Sequence, residues 1–170
     1  MDANYQPAVS TLQEHCGAVV TEFRGEITCT LSPDEIVTAV NALRDVFGFD
    51  HLVDITAVDY WPQEQPRFHV VYHIRNLAQT LILCLRVPLD GNFPEIATVE
   101  TVYAGANWFE REVYDMFGVK FNGNSDMRRI LMPHDWTGHP LRKDYPLGYE
   151  EVQFTFNFDT VSVRKPHPKE

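Results

Sequence analysis

Two pairs of histidines have spacings that suggest a shared metal ion. His69 and His73 are four residues apart, which would place both on one face of a helix, but the residues around them alternate as in a strand. On a strand, side chains four residues apart are separated by roughly 13 Å, so these two cannot share one metal by themselves. His134 and His139 lie in an irregular stretch and could meet around a zinc ion. A small metal-dependent hydrolase that uses this second pair with Glu112 is therefore one alternative, from another functional class.

The cysteines and glycines show no cofactor motif. Cys16, Cys29 and Cys84 are far apart and form no Cys-x-x-Cys pair, whereas an iron–sulfur cluster needs about four closely grouped thiolates. We expect them to be small buried residues in a reducing cytoplasm. The nine glycines form neither the turn that binds a dinucleotide nor the loop that binds phosphate. The chain is therefore expected to hold no cofactor and no metal.

Glu110, Arg111, Glu112 and Asp115 form a charged group in a predicted helix. A buried pair of carboxyl groups with separated pKa values would indicate acid–base catalysis. A solvent-facing helix surface explains them more simply, because acidic residues in a first turn favour the helix dipole and Arg111 can pair with Asp115 four residues on. No serine, cysteine or lysine stands in a recognisable nucleophile motif. We therefore expect a structural helix and no catalytic residue.

A stretch in the last third of the chain has the composition of a binding surface. The whole chain has a formal net charge of −10, yet residues 107–148 contain six basic and six acidic residues. This balanced region also carries Trp108, Trp136 and Tyr145, and aromatic and arginine side chains supply most of the energy at protein interfaces. A loop that folds back over its own core explains the aromatics almost as well. The acidic chain disfavours nucleic acid and anionic lipid as partners.

Helices and strands must position these residues, and the spacing of apolar residues along the chain predicts both kinds of element. The predicted elements, in chain order, are a helix over residues 7–15, strands over 18–23 and 26–31, a helix over 33–47, a strand over 51–59, a hairpin over 67–75 and 81–87, a loop over 88–94, a helical turn over 99–103 and a helix over 107–117. Capping boxes are predicted where Ser32 precedes Glu35 and where Asn107 precedes Glu110 by three residues.

The C-terminal part follows a different pattern. Residues 121–148 show neither period but are rich in Arg, Trp, Tyr, Pro and Gly, and an irregular loop of this length is normally functional or disordered. Alternating phenylalanines predict a strand over residues 151–159, and a solvated tail follows. We therefore divide the chain into a core domain, 1–120, and an extended partner-binding segment with tail, 121–170. The longest apolar run ends at Arg86, far short of the roughly 20 residues of a membrane helix, and no secretory signal is expected.

Two sequence blocks resemble a known family. EREVYDMFGVKF at 110–121 and RRILMPHDWTGHPLRKDYPLG at 128–148 closely resemble the signature of the C subunit family of NADH:quinone oxidoreductase, respiratory complex I. Weaker likeness extends over 54–60, 68–73 and 106–108, so the resemblance covers most of the chain. One departure is Asn124 and Ser125 after Gly123, where family members usually have His-Pro. The chain resembles the unfused form of the family, in which the C and D subunits are separate chains.

The resemblance implies a fold, a location and a set of partners. It implies a two-layer α+β domain with a mixed β-sheet covered by helices, plus an extended irregular C-terminal segment along the quinone-site D subunit. It also implies the B and I subunits as neighbours, and FMN, iron–sulfur clusters, NADH and quinone elsewhere in the proton-translocating complex. The chain is expected to be a cofactor-free structural subunit, peripheral on the cytoplasmic side of the cell membrane. The alternative is a homologous subunit of a membrane-bound hydrogenase or a ferredoxin–quinone oxidoreductase.

The partner interface is expected to use the basic and aromatic residues of the C-terminal segment. We expect the arginines and Lys143 to pair with acidic groups of partners, the aromatic rings to fill apolar pockets, and Asp144 to pin Arg142 or Lys143 locally. The phenylalanine strand would add to the edge of a partner's sheet. The residues expected at the interface are Arg128, Arg129, Trp136, Arg142, Lys143, Asp144, Tyr145, Phe154 and Phe156.

Overall fold

The computed structural model describes residues 4–146, 156–157 and 159–160. The elements are α1 (Gln6–Cys16), β1 (Val19–Phe23), β2 (Glu26–Thr30), a 3-10 turn (Pro33–Glu35), α2 (Ile36–Phe47), β3 (His51–Asp59), β4 (Phe68–Asn76), β5 (Leu81–Leu89), β6 (Glu95–Ala97), α3 (Ala106–Phe117) and β7 (Lys120–Asn122). None of the described helices is long and apolar enough to span a bilayer.

The main sheet has five strands in the order β1-β2-β5-β4-β3. Its β1–β2, β5–β4 and β4–β3 pairs are antiparallel, whereas β2 and β5 are parallel. Strands β6 and β7 form a separate parallel pair. The mixed sheet and three α-helices confirm the predicted α+β class.

The core lies between one face of the sheet and the helices. Alternate residues of the predicted hairpin are fully buried on that face, and α2 packs its own apolar stripe against them. The buried residues are Phe68, Val70, Tyr72 and Ile74 of β4, Leu83, Leu85 and Val87 of β5, and Ile36, Val40 and Leu43 of α2. The residues between them on β4 and β5 point to the opposite face and are partly exposed. The hairpin and the helix over residues 36–47 are therefore confirmed.

The structure corrects both predicted capping boxes. Ser32 precedes a 3-10 turn, and its backbone carbonyl, not its side chain, accepts the N–H of Glu35. The helix α3 begins at Ala106 after Gly105, so Asn107 lies inside it and cannot cap it. The side chain of Glu110 bonds to residues outside the helix, so it does not act as the second residue of a capping box.

Two further predictions changed, and the domain boundary stays a prediction. The predicted loop over 88–94 is shorter, because β5 continues to Leu89 and β6 begins at Glu95. The second strand of the small sheet, β7, lies across the predicted domain boundary at residue 120, and that boundary remains a prediction. Phe156 and Asn157 form a turn instead of the predicted strand, and Phe154 and most of that strand lie outside the described residues.

Candidate partner-binding surface

Buried carboxylates hold the irregular segment of residues 123–146 against the core. The sequence placed Glu110, Arg111 and Asp115 on the solvent side of α3, and this was wrong: all three side chains are buried, and the two carboxylates are fully inaccessible. A buried carboxylate needs several hydrogen-bond donors to offset its lost hydration. Each carboxylate finds its donors in chain segments outside the helix.

Asp115 bonds to the segment through four groups. Its Oδ2 atom accepts the backbone N–H groups of Ile130, Leu131 and Met132 at 3.0, 2.8 and 2.8 Å. Its Oδ1 atom accepts Arg129 Nη1 at 2.5 Å. Burial alone would raise the pKa of Asp115, but these donors hold the pKa below its ordinary value. Asp115 therefore stays ionised and fixes residues 129–132 on the last turn of α3.

Arg111 does not form the predicted pair with Asp115. Its Nε atom donates to the backbone carbonyl of Arg128 at 3.1 Å, and its Nη1 lies 3.6 Å from Asp126 Oδ2. The guanidinium also lies over the ring of Trp108, 5.1 Å from the ring centroid. Arg111 therefore joins the first half of α3 to the start of the irregular segment.

A second attachment lies at the end of the main sheet, around Arg67. The Nε and Nη2 atoms of this buried side chain donate to the two oxygens of Asp59 at 2.9 and 2.8 Å, and Nη1 donates to Asp144 at 3.0 Å. Lys143 adds its backbone N–H to Asp59 at 2.8 Å. Burial alone would raise the pKa of Asp59, but Arg67 and the N–H donors hold the pKa below its usual value. Arg67 and Arg142 lower the pKa of Asp144 as well.

Glu110 makes the third attachment without a cationic partner. It accepts hydrogen bonds from Thr98 Oγ1 at 2.6 Å, the Val99 N–H at 2.8 Å and Asn124 Nδ2 at 2.7 Å. Burial raises the pKa of this carboxyl, and the three bonds offset the rise only in part. Asn124 stands where the family usually has histidine, and here its amide satisfies Glu110. Ser125, in place of the usual proline, bonds to Glu100 through its N–H and its hydroxyl.

Two glycines allow close packing of rings in the segment. Gly118 ends α3 with a φ of +79°, and a Cβ atom there would lie 2.6 Å from His139 Cδ2. Gly138 has a φ of +85°, and a Cβ atom there would lie 2.7 Å from Tyr145 Cε2. His139 Nδ1 also lies 3.0 Å from the backbone carbonyl of Asp115. These contacts add to the ion pairs in fixing the path of the segment.

The structure divides the predicted interface residues into two groups. Arg129, Arg142 and Asp144 form internal ion pairs, and the predicted Asp144–Arg142 pair is confirmed. Trp136 and Tyr145 are partly buried in the segment. Arg128 pairs with Asp126 but keeps 82% of its side chain accessible, and Lys143 is exposed. The alternative prediction, in which the segment folds back over its own core, therefore explains some of the predicted interface residues.

The surface that remains after this folding includes large apolar side chains. Four large side chains on α3 and the segment are at least one third exposed, and Trp108 and Leu131 reach 61% and 60%. The ring of Trp108 lies against the guanidinium of Arg111. Asp115 accepts the backbone N–H groups of Ile130 and Leu131, and the N–H of Leu141 donates to the carbonyl of Met116. Sequence reasoning named Trp108 as part of the balanced region but missed the aliphatic residues. The exposed apolar residues are Trp108, Ile130, Leu131 and Leu141.

The structure shows where the histidines and cysteines considered as metal or cofactor ligands lie. The described residues contain no group of three or more His, Cys, Asp or Glu side chains placed to bind a metal ion. Cys16 and Cys29 are buried as predicted, whereas Cys84 is only partly buried, and no disulfide links the three. Burial raises the pKa of Cys29 to about 12. His73 bonds to Asp54 and His69 to Arg86, so the two histidines on β4 have separate partners.

Comparison with known proteins gives a consistent set of relatives. Residues 29–151 match the family described as respiratory-chain NADH dehydrogenase, 30 Kd subunit. The NADH-quinone oxidoreductase C subunit of Roseiflexus sp. (strain RS-1) is 46% identical over 151 residues, which cover 88% of this chain and 86% of that protein. The C subunit of the same enzyme from Geobacter metallireducens is 46% identical over 143 residues, 82% of this chain and 88% of that protein.

Solved structures share the fold. The trypsin-resistant fragment (1-134) of Nqo5 matches with a TM-score of 0.64 and 28% identity, covering 72% of this chain and 98% of that chain. A chain of the membrane-bound sulfane sulfur reductase, an archaeal respiratory membrane complex, matches with a TM-score of 0.75 over 99% of this chain and 97% of that chain. At 20% identity, the second likeness shows the fold alone.

Proposed function

Because the chain belongs to the 30 Kd subunit family of respiratory-chain NADH dehydrogenase, and is thus a subunit of respiratory complex I, we propose that it acts in assembly and carries no catalytic residue. Its partners are other subunits of the complex. The proposed neighbours are chiefly the quinone-site D subunit, and also the B and I subunits. The proposed location is the cytoplasmic side of the membrane, reached through the assembled complex.

The observation that carries the assembly role is an exposed apolar surface on a fixed backbone. Large apolar patches on a soluble chain mark interaction sites, and a well-packed tryptophan is a common source of binding energy. Trp108 lies on helix α3 against the guanidinium of Arg111, and Leu131 lies on backbone that Asp115 holds in place. A surface fixed in advance loses little conformational entropy when a partner binds. We name Trp108, Arg128, Ile130, Leu131 and Leu141 the α3 docking surface.

The chemistry of the buried charges supports a structural role. Asp59 and Asp115 are saturated with arginine and backbone N–H donors, and Glu110 bonds three groups of its own chain. A general acid or base must instead reach a substrate proton. We propose that FMN, the iron–sulfur clusters, NADH and quinone all bind to other subunits, and that this chain fixes the positions of its neighbours.

A homologous subunit of a related membrane complex is the second candidate. The archaeal sulfane sulfur reductase chain has the same fold over nearly the whole length, which makes a related complex worth testing. The relatives at 46% identity are C subunits of NADH-quinone oxidoreductase and favour the first candidate. Genes for an NADH-oxidising module beside this gene would support the first candidate, and hydrogenase or ferredoxin-dependent genes would support the second.

The test replaces one apolar residue of the α3 docking surface. Leu131→Asp puts a charge at the proposed contact, while the backbone N–H that bonds Asp115 is retained. We expect native gels to show several-fold less assembled complex and the urea unfolding midpoint of the full chain to be unchanged. Leu77→Asp is the matched control, because Leu77 is similarly exposed in the β4–β5 turn at the other end of the sheet. Equal amounts of complex in both strains would contradict the proposal.

A further inference from the structure

The face of the main sheet that points away from the helices carries its own polar groove. Thr30, Arg86 and Val71 are neighbours in one row across β2, β5 and β4, and Thr21 and Thr28 are neighbours in the next row on β1 and β2. No described helix covers these residues, and each of them is partly or fully exposed. The groove encloses about 530 Å³ above these strands. The residues that line it are Thr21, Phe23, Thr28, Thr30, Tyr60, Gln63, Pro66, His69 and Arg86.

Arg86 is held in this groove by neutral groups. Its Nε atom donates to His69 Nδ1 at 2.8 Å, and Nη2 donates to the hydroxyl of Tyr60. The Tyr60 and His69 rings meet edge to face, with centroids 4.8 Å apart. Because His69 Nδ1 accepts a hydrogen bond, it carries no proton, and burial and Arg86 lower the pKa of this ring. The two neutral side chains therefore orient the guanidinium but do not neutralise its positive charge.

The charge of Arg86 has no counterion in the described part of the chain. No carboxylate lines the groove, although the chain has 24 acidic and 14 basic residues. The buried arginines of two other attachments, Arg67 and Arg129, both pair with aspartate. A fixed guanidinium that still has free N–H donors, with threonine hydroxyls around it, favours a carboxylate or another oxyanion.

The strand beside the groove favours a polypeptide as the source of that carboxylate. Strand β1 is the last strand of the sheet, so its outer edge has no partner strand among the described elements. Phe23 on this edge is 69% exposed and also lines the groove, so an apolar contact adjoins the cationic one. A free anion would use Arg86 but would leave the apolar side chain of Phe23 uncovered.

We propose that this groove is a second docking site, which binds an extended acidic segment of another subunit through a carboxylate at Arg86 and an apolar side chain at Phe23. The site lies on the sheet and is separate from the α3 docking surface. It rests on the proposed role of the chain as an assembly subunit and extends that role to a second partner contact.

The experiment uses the assembled complex, purified in mild detergent from cells that carry the full chain with a photo-cross-linking residue. Phe23→p-benzoylphenylalanine is close in shape to the native residue, and the same group at Leu77, outside the groove, is the control. We expect position 23 to cross-link to a segment of another subunit that contains Asp or Glu, and position 77 to give no such product. Cross-links that join position 23 only to its own chain would overturn the proposal.

Charge variants test the role of Arg86 in the same preparations. Arg86→Glu is expected to lower the cross-linking yield at position 23 at least about tenfold, and Arg86→Lys is expected to retain most of it, because a carboxylate partner requires a positive charge. Thr21→Glu adds a negative charge to the groove without removing Arg86, and it is expected to act like Arg86→Glu. A yield that none of these variants changes would overturn the carboxylate assignment.

The same preparations separate this inference from the assembly role. If the assembly role fails, Leu131→Asp and Leu77→Asp give equal amounts of complex on a native gel, whatever position 23 cross-links to. If only the groove fails, the complex is complete on a native gel, but position 23 forms no product with another subunit. Inorganic phosphate bound to Arg86 in a complete complex, with no cross-link to another chain, would likewise overturn a polypeptide occupant.

Discussion

The attachment at Asp115 gives the sharpest test of how the irregular segment is held. In Asp115→Asn the side chain keeps its shape and one acceptor oxygen but loses its charge. The amide nitrogen then faces Arg129, whose side chain is only 13% accessible. Removing one partner of a buried ion pair costs about 3–5 kcal/mol, because the other charge is left uncompensated. Since one oxygen can still accept backbone N–H groups, we expect about 3 kcal/mol, the lower end of that range.

Urea unfolding of the full chain, followed by far-UV circular dichroism, measures this loss. Small domains are stable by only about 5–15 kcal/mol, so the midpoint should fall clearly at pH 7. Amide hydrogen exchange should also become faster at Ile130, Leu131 and Met132, whose N–H groups bond Asp115. The control is Asp45→Asn, which removes an exposed ion pair with Arg44 and should leave the midpoint unchanged.

The pH dependence gives a second readout at the same position. The folded chain holds the pKa of Asp115 below 3.8, the ordinary value for aspartate. A carboxyl whose pKa is lowered on folding stabilises the fold above its unfolded pKa, and this contribution is lost as pH falls through the folded pKa. The difference between wild type and Asp115→Asn should therefore be full at pH 7 and shrink below about pH 4. Equal midpoints at pH 7, or a difference that persists unchanged in acid, would refute the reasoning.

Three more variants test the packing and the other attachments. In urea unfolding, Gly118→Ala should lower the free energy of unfolding by about 1–2 kcal/mol because of the left-handed φ. The clash of the new Cβ atom with a histidine ring should lower it further. Gly17→Ala, which also has a left-handed φ but open space around it, should show only the first loss. Arg67→Lys should lower the free energy of unfolding by about 2–3 kcal/mol in the same assay, because lysine cannot bind two carboxylates as the planar guanidinium does. An unchanged midpoint would contradict this. Asn124→Asp should place a second carboxylate beside Glu110. The unfolding midpoint of this variant should therefore fall at pH 7 and recover in acid, where one of the two carboxylates becomes protonated. The opposite pH trend would refute this prediction.

Much of the fold could be predicted because its signals are local. The alternation over residues 67–87 and the 3.6-residue period over 36–47 each arise within one element, and both elements formed as predicted. Strands β6 and β7 have three residues each and pair in parallel across more than twenty residues of chain. Elements this short show no period of their own, and only the tertiary fold brings them together.

The site was less predictable because its contacts are distant in sequence. Arg129 is 14 residues from Asp115, and Arg67 is 77 residues from Asp144. A sequence shows that Arg129 and Asp115 are charged but not that they meet, so the arginine was assigned to a partner and the aspartate to solvent. The composition did single out the stretch of chain that Glu110, Asp115 and Asp59 hold against the core, and its contact with a partner stays a prediction. A more useful signal was the run Ile130-Leu131-Met132 between charged residues, since an apolar run in an irregular segment must either be buried or bind a partner.

The central claim is that this chain contributes assembly and no chemistry. Its most direct test is NADH:quinone activity per assembled complex, compared between wild type and the Leu131→Asp strain, with the amount of complex measured on the same native gel. We predict that the amount of complex falls severalfold while the activity of each assembled complex stays at the wild-type value. A normal amount of complex with reduced activity per complex would contradict the claim, because it would place this surface in the reaction itself.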